Sequence, residues 1–122
     1  MRGRRVVLAA LLGALALPDR AAAHALLLKT SPPRRAVLRE PPRQVELWFN
    51  ERLEPAYASA TLSTKSGAPV DTGRASVSEQ DPRRLALPLP ALQPGEYVVR
   101  FRVLSVDGHV AEDSLTFSVR GR

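Results

Sequence analysis

The chain has no cysteine, and its single methionine is Met1. Disulfides, cysteine-based zinc sites and thiol catalysis are therefore excluded. Aromatic residues are few, with one tryptophan, two tyrosines and three phenylalanines. No basic strand carries the interleaved aromatics of a single-stranded nucleic-acid binder. There is no glycine-rich phosphate loop, and no serine has a histidine and an acid at a recognisable spacing. No stretch sustains a helical period, and no internal repeat or low-complexity segment is present. Histidine is also scarce: only His24 and His109 occur.

What is present begins with a secretory signature. Arg2, Arg4 and Arg5 precede a 12-residue apolar run from Val6 to Leu17, and small residues end at Ala21-Ala22-Ala23. A run of that length is too short to span a membrane, which takes about 20 residues. Residues 1–23 are expected to be a cleaved signal peptide, which exports the mature protein. Cleavage after Ala23 makes His24 the first residue of a 99-residue domain, 24–122. The same small-residue rule admits cleavage before Leu26, since Ala23 and Ala25 flank His24; that product lacks the histidine. The signal carries four arginines against Asp19, so its removal takes the formal charge from +6 to +3. The remaining arginines are spread along the chain and read as solvated faces, with no nucleic-acid partner. With no apolar tail before Arg122, no membrane anchor is expected, and the domain is read as a monomer.

The mature segment reads as all-β. Eleven prolines and seven glycines in the chain punctuate short runs of Val, Leu, Thr and Phe. Strands are expected over 25–30, 44–50, 57–64, 69–70, 75–78, 84–89, 96–105 and 111–119, with 34–39 a connector and 106–110 a loop. Val45, Leu47 and Phe49 share one face of their strand, as do Tyr97, Val99, Phe101 and Val103 of theirs. Trp48, on the mixed face, is read as covering a sheet edge or loop. About seven short strands with turn signals every ten residues fit a small Greek-key β-sandwich, immunoglobulin-like or cupredoxin-like.

The chemistry concentrates in Ser105-Val106-Asp107-Gly108-His109. Alone, Asp107-Gly108-His109 is also consistent with a plain turn and an exposed histidine. A mature chain beginning at His24 changes the balance. An N-terminal histidine offers its α-amine and ring Nδ1 to one metal, closing a six-membered chelate ring. A His109 nitrogen and an Asp107 oxygen complete an N,O set of the kind Cu(II) prefers in tetragonal geometry, and Cu(II) heads the affinity order for such ligands. Zinc would bind these ligands more weakly and favour a tetrahedron.

These segments resemble the CopC family of periplasmic copper-binding proteins over nearly the whole mature chain. The resemblance rests on His24-Ala25, Thr30-Ser31-Pro32-Pro33, Val45 to Glu51, Leu92 to Tyr97, and Arg102 to Val110. It implies a Greek-key sandwich and a Cu(II) site made of His24, Asp107 and His109. It also matches Glu51 to an acidic residue near the metal, as a weak ligand or a support for one; the other reading of Glu51 is a solvated turn carboxylate. Some family members hold Cu(I) in a methionine-rich loop, and no methionine survives processing here. The resemblance thus implies one Cu(II) per chain and no Cu(I) site. A further departure is Asp113, where family members commonly have glycine.

The expected function is a periplasmic Cu(II) carrier or buffer in copper resistance or homeostasis, not an enzyme, with an inner-membrane copper transporter as a possible partner. Two other readings stand beside it. One is a metal-free immunoglobulin-like interaction module. The other is a copper oxidase built on a histidine brace, which would need the open coordination position that Asp107 fills.

Overall fold

A computed structural model describes residues 26–121. The expected signal peptide and His24 lie outside the described residues. Nine strands form two sheets: β1 (Leu27–Ser31), β2 (Ala36–Leu38), β3 (Gln44–Phe49), β4 (Ser59–Thr64), β5 (Pro69–Val70), β6 (Ser76–Val77), β7 (Arg84–Pro88), β8 (Gly95–Leu104) and β9 (Val110–Val119). One sheet runs β1-β3-β7-β6 and the other β2-β9-β8-β4-β5. The chain passes repeatedly between the sheets, and the result is the expected sandwich.

Strict alternation drives this layering. In β3, Val45, Leu47 and Phe49 are buried while Glu46 and Trp48 stay partly exposed. In β8 the buried set is Tyr97, Val99, Phe101 and Val103, and in β9 it is Leu115, Phe117 and Val119. These side chains meet between the sheets as one core. Phe49 and Phe101 cross the layers edge to face, with centroids 5.6 Å apart. Tyr97 stacks on Phe117 at 5.6 Å and donates its hydroxyl to the Gln93 carbonyl at 2.6 Å, so its polar tip is satisfied.

Two local expectations change. The 34–39 connector contains β2, a three-residue strand that pairs in parallel with Phe117–Val119 of β9. Such pairing is non-local and leaves no period in so short a segment. The strand expected from 57 begins at Ser59, because Pro55–Tyr57 forms a 3-10 turn. Trp48 sits on inner strand β3, opposite Lys29 of the edge strand β1 and Arg84 of β7. The Lys29 ammonium lies 4.6 Å from its ring centroid, and Arg84 pairs with neighbouring Glu46.

The two ten-residue strands β8 and β9 form the long hairpin on which the candidate site is built. They pair from Gly95↔Val119 to Leu104↔Val110 without interruption. Asp113 lies within β9 opposite Phe101, so the position needs no turn and no glycine.

Candidate metal centre

The β8–β9 hairpin closes through Ser105 to His109. Gly108 has φ +95°, a conformation that favours glycine, and this is what allows the chain to reverse between Asp107 and His109. Ser105 holds both ends of the loop. Its N–H donates to the His109 carbonyl at 2.9 Å, and its carbonyl accepts from Gly108 N–H at 2.9 Å.

The loop brings Asp107 and His109 together. His109 Nδ1 lies 3.2 Å from Asp107 Oδ1, and both side chains are about 40% exposed. The tautomer decides what this pair offers. With the proton on Nδ1, the ring donates to the carboxylate and presents the Nε2 lone pair to a metal, an arrangement common among metal-binding histidines. With the proton on Nε2, Nδ1 and Oδ1 can face one cation together. The Ser105 hydroxyl also donates to Asp107 Oδ1. That bond, and then the His109 ring, hold the Asp107 carboxyl below its ordinary range. Asp107 is therefore a carboxylate near neutral pH.

The neighbouring segment carries Glu51. Phe49 ends β3, and the chain then crosses to the hairpin loop. Arg52 accepts from Val106 N–H at 2.9 Å, Glu54 N–H donates to Leu104 at 2.8 Å, and Leu53 bridges to Ser105. Glu51 is thus one residue from a backbone contact with the loop, and half-buried. Among the described residues no group of three or more His, Cys, Asp or Glu is close enough to hold a metal. Asp107 and His109 are a pair, and Glu51 does not complete a cluster with them.

The first described residue enters at this same end. Leu26 donates its N–H to Asn50 Oδ1 at 2.6 Å and accepts from Asn50 N–H at 3.0 Å. Asn50 adjoins Glu51 and Arg52, so the strand that follows His24 is fastened to the segment that contacts the loop. His24 itself lies outside the described residues.

Two contributors escaped the sequence. One is Asn50, whose side chain clamps Leu26. The other is Ser105. A signal for it existed: the inward stripe Tyr97, Val99, Phe101, Val103 continues at 105 with a polar residue. A hydroxyl on a buried stripe must find partners.

Comparison with known proteins bears on this arrangement. The CopC domain family model matches residues 27–120. Protein YobA of Escherichia coli is 35% identical over 120 residues, covering 98% of this chain and 96% of that protein. The copper transport protein CutJ of Bacillus subtilis is 29% identical over 104 residues, covering 84% of this chain but 19% of CutJ. The crystal structure of CopC from Methylosinus trichosporium OB3b matches with a TM-score of 0.75 at 39% identity, covering 80% of this chain and 94% of that one. PcoC, a methionine-rich copper resistance protein from Escherichia coli, matches with a TM-score of 0.70 at 28% identity, covering 80% of this chain and all of PcoC. A family model spanning the sandwich from β1 to β9, and a relative matched almost end to end, show that the chain belongs to the CopC family.

Proposed function

We propose that the protein is a periplasmic carrier or buffer that binds one Cu(II) through His24, Asp107 and His109, with Glu51 supporting the site. The observation that carries this reading is the Asp107–His109 pair, 3.2 Å apart at the hairpin tip. It is supported by the Leu26–Asn50 clamp, which fastens the strand following His24 to the segment bonded to that tip. The copper named in the descriptions of CutJ and PcoC agrees with it.

The donor set fits Cu(II). Imidazole, amine and carboxylate are N,O ligands of intermediate to hard character. No sulfur ligand remains once Met1 is removed, so the chain has nothing with which to favour Cu(I). Carrying suits the arrangement better than catalysis, because Asp107 occupies the position an oxygen-activating site would leave open. Delivery to an inner-membrane copper transporter is the partner relationship we propose.

The test is native mass spectrometry of the protein exported by its own signal, with one equivalent of Cu(II). The expected species begins at His24 and holds one copper. A chain beginning at Leu26, or one beginning at His24 that stays metal-free, overturns the proposal and leaves an interaction module as the better account.

A further inference from the structure

Ser105 is the one buried polar side chain among the described residues, with 1% exposure. A hydroxyl removed from water is costly unless both its proton and a lone pair are used. Here both are used. Ser105 Oγ donates to Asp107 Oδ1 and accepts from His109 N–H at 3.3 Å. One buried oxygen is therefore bonded both to the side chain of the first proposed loop ligand and to the backbone of the second.

We propose that Ser105 is a positioning residue for copper: its hydroxyl fixes the Asp107 carboxylate relative to His109. The inference rests on the Cu(II) reading above and deepens it. Loop closure does not need the hydroxyl. The Ser105 backbone already bonds His109 and Gly108, and Leu53 bridges to residue 105 from the neighbouring segment. What the hydroxyl adds is a direction for Asp107, an exposed side chain two residues on that would otherwise sample several rotamers. Removing it leaves the carboxylate to be ordered at the moment copper binds, which lowers affinity.

The experiment is a double-mutant cycle on Cu(II) affinity, using chains that begin at His24: parent, S105A, D107N and the double variant. S105A is expected to weaken Cu(II) binding about tenfold, the scale of one hydrogen bond to a charged group. In the D107N background the same substitution should change affinity less than about twofold. The Cu(II) electron paramagnetic resonance spectrum of S105A should move from that of the parent toward that of D107N. A merely structural role would not produce this pattern. Parent-like affinity in S105A overturns the inference, as does an equal loss in both backgrounds. If D107N binds as tightly as the parent, Asp107 is no ligand and the inference falls while His24 and His109 stand. A parent that retains no copper overturns the proposed function and this inference with it.

Discussion

His109 Nδ1 stands 3.2 Å from an Asp107 oxygen that also accepts the buried Ser105 hydroxyl. The carboxylate is held in its charged form, below the ordinary carboxylate range, by Ser105 first and His109 second. Asp107 therefore stays ionised between pH 5.5 and 7.5. Acid loss of copper in that interval comes from the groups that must shed protons to bind. An α-amine ordinarily titrates at about 7.7–8.0 and an imidazole at about 6.5. Each displaced proton costs up to tenfold in affinity per pH unit. Competition titration should show Cu(II) affinity falling at least about a hundredfold from pH 7.5 to 5.5. A flat profile would remove the amine and imidazoles from the ligand set.

The free α-amine of His24 can be separated from its ring. Acetylating the α-amine of a chain that begins at His24 keeps the imidazole but removes the amine as a donor. Isothermal titration should then show Cu(II) affinity reduced at least about a hundredfold, since a chelate becomes a single nitrogen. His24→Ala should weaken binding more than Glu51→Ala, because the first removes a ring donor and the second a support. Equal affinities for both variants and the parent would place copper elsewhere.

The core can be tested without metal. Phe49 is 2% exposed and packs edge to face on Phe101 across the two sheets, at the end of β3 that leads to the loop segment. Phe49→Ala should destabilise the fold by about 3–5 kcal/mol. Urea unfolding followed by far-ultraviolet circular dichroism checks this. A loss under about 1 kcal/mol would mean the site collapses around the cavity or is not packed as described.

Much of the fold was legible because it obeys local rules. The alternation in β3, β8 and β9 reports a half-buried sheet residue by residue, and Asp107-Gly108 marks the turn between the last two strands. What escaped depends on distant partners. β2 is three residues long, follows Arg35 at a φ of +59°, and exists because Phe117–Val119 lies alongside. The proposed site's candidates stood out by their chemistry, since His24 and His109 are the only histidines in the sequence. Its support was not. Asn50 matters through a bond to Leu26, 24 residues away in sequence. Ser105 matters because burial turns an ordinary hydroxyl into one whose bonds must all be made.

The hairpin tip joins β8 to β9, and the clamp on Leu26 fastens the first described residue to the segment beside it. Copper shared between His24 and the tip would tie residues more than 80 positions apart. In a protein without cysteine this is a removable cross-link. It closes nearly the whole chain into one loop, and closing a long loop restricts the unfolded ensemble more than closing a short one. Where copper instead leaves on unfolding, it stabilises the folded chain by mass action as its concentration exceeds the dissociation constant. In the proposed complex, the cargo is also the bolt of the sandwich: the loaded protein resists unfolding and proteolysis, and the protein that has delivered its copper is the weaker of the two.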